Sequence, residues 1–181
     1  MGWTYKLHGG VAAALSAALL VLAVLTWVPG TSPLFEPQWT VAAAFVTAFL
    51  VCGAVVVRMF LASADNRALW QAFRCLPGRA QAGLAALVVA GVAVLVFDVA
   101  GWGSEPGRLQ DAETRDGRYF AHDPRPDTRG TVEISKSEYQ ALVPGSRRMF
   151  IAIPGVLLAG ASCAVLAVGE VRRADRGLAA R

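Results

Sequence analysis

Histidine and cysteine are nearly missing from this chain of 181 residues, which holds two of the first and three of the second. Cys52, Cys75 and Cys163 stand far apart, with no CxxC pair and no His/Cys cluster. The ligand spacing of a zinc site is therefore absent. Cys52 and Cys163 fall inside apolar runs, where a thiol behaves as a small apolar side chain. The one long polar segment, residues 101–148, has no cysteine at all, which excludes a disulfide framework there. G-x-S-x-G, P-loop and H-E-x-x-H patterns are missing too. No catalytic residue, no cofactor and no metal ion are expected, and the chain reads as a non-enzyme.

Charge is also scarce. Only 17% of residues are charged and 55% are hydrophobic, against roughly a quarter charged in soluble domains. The deficit is concentrated in four blocks. They are Val11–Val28, Trp39–Val57 ended by Arg58, Ala82–Phe97 continued by Asp98–Ala100 and closed by Trp102, and Met149–Gly169. A membrane helix needs about 20 mostly apolar residues. Backbone groups in lipid must be satisfied within the segment, so each block is expected to be a helix. The first block follows Lys6 like a signal peptide. Its apolar run is too long, and no A-x-A-like cleavage site follows, so it reads as a retained span. "WVPGTSPLFEPQW", with Pro29, Pro33 and Pro37, reads as the turn into the second span.

Basic residues set the orientation. Lys6, Arg58, Arg67, Arg74, Arg79, Arg172, Arg173, Arg176 and Arg181 all fall on one side of four spans. Only Arg147 and Arg148 oppose them at the other end of span four. The expectation is a multi-pass cell-membrane protein with both termini cytoplasmic and residues 101–148 outside. The formal charge of +4 follows from this flanking pattern, so nucleic acid is not an expected partner. The bilayer is, together with another membrane or extracytoplasmic protein.

The fold class expected is an all-α integral membrane protein, a four-transmembrane-helix bundle. A small extracytoplasmic β-hairpin plus short helix is placed between spans 3 and 4. Residues 1–100 form the first three spans with a cytoplasmic connection at 62–79. Residues 101–148 form the outer segment, and 149–181 the fourth span and basic tail. In the connection, Ser63 is a candidate cap for a helix whose Leu69, Trp70, Phe73 and Leu76 recur at helical spacing, with Pro77-Gly78 ending it. Either this helix lies in the headgroup region or span two continues into the cytosol.

Small residues four apart let helices approach closely in lipid. Candidate ridges are Gly10, Ala14 and Ala18; Thr40, Ala44, Ala48 and Cys52; Ala82, Ala86 and Ala90; and Gly155, Ala159, Cys163 and Ala167. Polar residues within spans are pointers to function. Here they are Thr47, Ser162 and Asp98, the last a possible intramembrane polar site or a solvated headgroup carboxylate. Pro154-Gly155 is a candidate helix break.

In the outer segment, residues 101–116 read as a flexible lead-in. Arg118–His122 and Thr131–Ser135 read as strands joined by the turn "DPRPDTRG". Ser135-Lys136-Ser137-Glu138 fits a capping box, opening a short helix that Pro144-Gly145 stops. His122 beside Asp123 lacks a nucleophile or second histidine and reads as a surface residue. So small a unit cannot bury its own core, so Tyr119, Phe120, Val132, Ile134, Tyr139 and Leu142 are the possible contacts with the bundle or a partner. "RYF", "TVEISKSEY" and the final apolar run resemble small four-span membrane proteins of actinobacteria that have no assigned activity. The resemblance covers about the last third of the chain and implies a layout of three spans, hairpin and fourth span.

Two function classes follow. The first is a non-enzymatic accessory, sensory or immunity-type protein that uses its outer hairpin for contacts. The second is a small transporter or channel subunit.

Overall fold

The computed structural model describes residues 2–28, 38–62, 65–104 and 109–179. The turn at 29–37 and Ser63 lie outside the described residues. The elements are α1 (Trp3–Leu25), α2 (Gln38–Ala62), α3 (Asn66–Arg74), α4 (Gly78–Ser104), β1 (Gln110–Arg115), β2 (Arg118–Asp123), β3 (Gly130–Ile134) and α5 (Lys136–Ala179). Four of the helices, α1, α2, α4 and α5, are long and apolar enough to cross a membrane.

α5 is the hub. It packs against α1, α2, α3 and α4, and α1 also packs against α4. In its apolar span 61% of residues are buried, against 17–28% in the other three long helices. Its burial covers most of its surface, leaving out a stripe that carries exposed Phe150, Leu157 and Gly160. Ala152, Ala159, Val165 and Val168 are fully buried. α1 runs antiparallel to it, and two hydroxyls stitch the pair. Ser16 donates to the Gly155 carbonyl and Ser162 to the Gly9 carbonyl, each at 2.7 Å and buried. The two bonds lie seven residues, about two turns, apart on each helix. Ser162 is thus a helix-pairing residue. At Gly9 an added Cβ would come 2.5 Å from the Leu166 side chain, and at Gly91 it would collide with Val156.

Two of the four small-residue ridges face inward as expected. Ala44 and Ala48 on α2, and Gly155, Ala159 and Ala167 on α5, are buried. The other two do not. Gly10, Ala14 and Ala18 on α1 and Ala82, Ala86 and Ala90 on α4 are exposed. α1 turns Gly9, Ala12, Ser16, Leu20 and Ala23 inward instead. α4 turns in Leu84, Gly91, Val94 and Asp98. Ala occurs on every face of these helices, so spacing alone does not choose the face.

The polar segment between α4 and α5 corrects the hairpin expectation. It is a three-stranded antiparallel sheet in the order β1-β2-β3. β1, "QDAETR", takes up part of the expected lead-in, while α4 extends to Ser104. Its only turn signal is Asp116-Gly117, both at positive φ (49° and 76°), the two-residue hairpin conformation that this dipeptide favours. A bulge between Gln110 and Glu113 carries Asp111 at φ 48°. The β2–β3 turn is knotted by Asp123. Its carboxylate accepts from Arg125 Nε at 2.9 Å and from the Thr128 hydroxyl at 2.7 Å.

The capping box forms in both directions. Ser135 Oγ accepts from the Glu138 N–H at 3.2 Å, and Glu138 Oε2 accepts from the Ser135 N–H at 2.8 Å. The helix it opens does not stop at Pro144-Gly145. It continues through Pro144 and Pro154 for 44 residues, about 66 Å at the usual rise, so the boundary at 148/149 falls inside it. A proline within a helix costs about 3 kcal/mol. Tyr139 and Val143 before the proline and Ile151 after it are buried in one cluster. Each such side chain contributes about 1.5–3 kcal/mol, so burial wins.

Candidate functional site

The sheet is seated on the bundle. Tyr119 and Ile134 are cross-strand partners on β2 and β3, so they share a face. Both pack on the cluster of Ala23, Val94, Tyr139, Val143, Ile151 and Ala152. The Tyr119 and Tyr139 rings lie 4.7 Å apart. Ala121 is buried on the same face, opposite half-buried Val132. The opposite face carries Phe120, His122, Thr131 and Glu133, by strand alternation. The six expected contact residues therefore do not form one surface. Tyr119, Ile134 and Tyr139 are used in docking the sheet. Phe120 faces away, and Leu142 lines a cleft described below. His122 and Asp123 point to opposite faces, and Asp123 is bound by Arg125 and Thr128. Those hydrogen bonds hold its carboxyl well below the usual carboxylate range.

Beneath the sheet, at the end of the bundle, sits a charged pair. Arg148 of α5 donates to Asp98 Oδ1 of α4 at 2.8 Å and, through Nε, to the Thr26 hydroxyl at 2.6 Å. Its guanidinium also lies over the Trp27 ring, 4.4 Å from the centroid. Thr26 passes the bond on by donating to the Ala23 carbonyl at 2.7 Å. This one arginine ties α1, α4 and α5 together near the sheet. The Asp98 side chain is 3% exposed and that of Arg148 13%. Of the two readings of Asp98, the solvated carboxylate does not hold: the side chain is in a buried ion pair. Moving each ion out of water costs several kcal/mol, which mutual attraction offsets only while both partners stay in place.

A cleft of about 290 Å³ opens beside the pair, lined by Trp27, Phe97, Asp98, Leu109, Gln110, Leu142, Ser146 and Phe150, among others. Asp98 Oδ2 is buried and has no hydrogen-bond partner among the described residues. Its free lone pairs can take a further donor, from water or a bound molecule. Aromatic walls and a carboxylate together suit an amine or hydroxyl-bearing group. The sequence pointed to Asp98 but not to Arg148, Thr26 or Trp27. A usable signal was present: one acid at the end of span three and arginines at the start of span four, on the same side of the bundle.

The opposite end is basic. Tyr5 is flanked by Arg58 at 4.8 Å and Arg172 at 6.0 Å from its ring centroid. Arg58 also donates to the Thr4 carbonyl and Arg172 to the Leu61 carbonyl. No group of three or more metal-ligating side chains occurs among the described residues. No family model, no curated protein and no solved structure matches this chain.

Proposed function

We propose that this chain is a multi-pass integral membrane protein with both termini cytoplasmic. Its role is that of a non-enzymatic accessory or sensory protein, with the sheet as its outer contact module. One observation carries the reading. α5 starts at the capping box directly after β3, runs unbroken through the centre of the bundle and emerges in the basic tail. A partner pressing on the sheet, or a molecule entering the cleft at Asp98 and Arg148, acts on this rod. Tilt or rotation of α5 then reaches its other end. The broad exposure of Phe49, Leu50 and Phe60 on α2 and of Val89 and Phe97 on α4 supports lipid around the bundle.

The transporter alternative has less support. The mid-bundle hydroxyls of Ser16 and Ser162 are bound to backbone carbonyls, and Leu158 and Val165 beside them are fully buried. The polar cleft lies at the sheet end. The test is a photo-crosslinking residue placed at Phe120, on the outward face, in native membranes. A protein adduct at Phe120, and none from the same probe at buried Tyr139, is expected. Solute or ion flux in proteoliposomes, with no adduct from Phe120, His122 or Glu133, would favour the transporter.

A further inference from the structure

α3 differs from the four long helices in having a sharply two-sided sequence. It is a new helix, not a continuation of α2. Its N-cap Asp65 is extended (φ −80°, ψ 166°) and accepts from the Ala68 N–H at 2.6 Å. Gln81 of α4 closes the other end, donating to the Arg74 carbonyl at 2.9 Å and the Leu76 carbonyl at 2.7 Å. Held at both ends, α3 lies against α5. Ala72 and Leu76 are buried, and Leu69 packs on the cluster containing Val165 and Val168.

The flanks of α3 face different surroundings. Ala68, Gln71 and Cys75 look across a cleft to Glu170–Asp175 of α5, beyond the apolar run that ends at Gly169. At about 100° per residue, Phe73 and Trp70 sit on the flank opposite that cleft. Their rings are stacked, with centroids 6.0 Å apart, and Trp70 is 63% exposed. Next around the wheel come Arg67 and Arg74, both exposed, and Arg79 at the start of α4 is exposed too.

None of these three arginines has an acidic partner among the described residues. The nearby acids are engaged elsewhere or lie on the far flank. Asp65 caps α3, Glu170 pairs with Arg173 at 3.7 Å, and Asp175 lines the cleft.

We infer that α3 is an interfacial helix that binds acidic phospholipid. In this arrangement Trp70 and Phe73 sit at the acyl boundary, while Arg67, Arg74 and Arg79 take the headgroup phosphate. An exposed stacked aromatic pair on the same short helix as Arg67 and Arg74, with Arg79 just after it and none of the three paired with an acid among the described residues, matches an anionic amphiphile and not a free anion. The inference rests on the membrane placement and not on the sensory role.

The test uses the full chain in bilayer discs containing equal phosphatidylglycerol and phosphatidylcholine, followed by native mass spectrometry of the lipids retained. Each arginine near an anionic surface is worth about fivefold in binding at low salt. R67Q/R74Q/R79Q is therefore expected to lower the preference for phosphatidylglycerol by at least about tenfold, while R115Q/R118Q on the sheet leaves it unchanged. R67K/R74K/R79K, which keeps the charge, retains most of it. For the unmodified chain, raising ionic strength about tenfold should abolish the preference, because exposed charges are screened. The proposal is overturned if the glutamine variant keeps the wild-type preference or if the preference survives high salt. It also fails if soluble glycerol phosphate displaces the lipid, because the site would then read phosphate alone.

Discussion

Removing Arg148 should destabilise the protein, and removing Asp98 with it should restore much of the loss. In R148M the apolar stem stays and the guanidinium goes. Asp98, 3% exposed, then loses its 2.8 Å partner, and its other oxygen already lacks one. Leaving a buried charge unpaired costs about 3–5 kcal/mol. D98N is milder. Its amide oxygen can still accept from Arg148, and the guanidinium keeps Thr26 and the Trp27 face. The loss there is that of charge assistance, about 1–2 kcal/mol. In D98L/R148M no ion is buried, and such replacements are often neutral or stabilising. For a chain of this length 1 kcal/mol shifts Tm by about 2–4 °C. R148M should thus melt roughly 10 °C below wild type in detergent, D98N a few degrees below, and the double variant close to wild type. Losses that simply add in the double variant would refute the reasoning. So would an unchanged melting point for R148M, since either result means the two side chains do not interact in the folded state.

Gly9→Ala should destabilise the bundle by about 1–3 kcal/mol through overpacking, because its Cβ would meet Leu166, whereas Gly10→Ala, with nothing within 4 Å, should not; paired melting curves check this. Gly155→Leu should also be costly, since even a Cβ there comes 3.1 Å from Leu20, and a wild-type melting point would remove that contact from the account. Asp123 has a depressed carboxyl pKa in the folded chain, so it contributes stability that is full above the ordinary Asp range, about 3.9, and is lost as pH falls through the folded value. D123N should therefore loosen the β2–β3 turn at neutral pH, with the difference from wild type narrowing below about pH 4, as read by amide exchange at Gly130–Val132. Reporter fusions at residues 33, 75, 120 and 181 should give external signals at 33 and 120 and cytoplasmic ones at 75 and 181, and a cytoplasmic signal at 120 would reverse the topology.

Local features were legible where a few neighbouring residues suffice. The Ser135-x-x-Glu138 box formed as written because its partners are three residues apart. Asp116-Gly117 is equally local, and it makes the turn that joins β1 to β2, yet residues 101–116 read as a lead-in and the strand itself was hidden. "QDAETR" has no apolar alternation, and β1 is held by backbone pairing to β2 and by Ala112 alone reaching the core. The Pro144-Gly145 stop was a correct statement of local preference that lost to burial on both sides of it. α3 was legible as an amphipathic helix, but the break separating it from α2 depends on Asp65, two residues beyond the expected cap.

Sequence by itself determined four apolar helices, the position of the polar segment and the basic character of one end. Composition decides these, because apolar runs of such length with so few charges leave little else to form. Only the tertiary structure decided that α5 is the central helix, that α1 and α4 turn unexpected faces inward, and that Asp98 meets Arg148. Small residues occur on all sides of these Ala-rich helices, so the inward face is chosen by long-range partners. Those partners are Ser16 with Gly155, Ser162 with Gly9, and Leu166 against Gly9. The ion pair joins residues 50 positions apart. It exists only because the last turns of α4 lie beside the first third of α5, a proximity that no local pattern in either helix encodes.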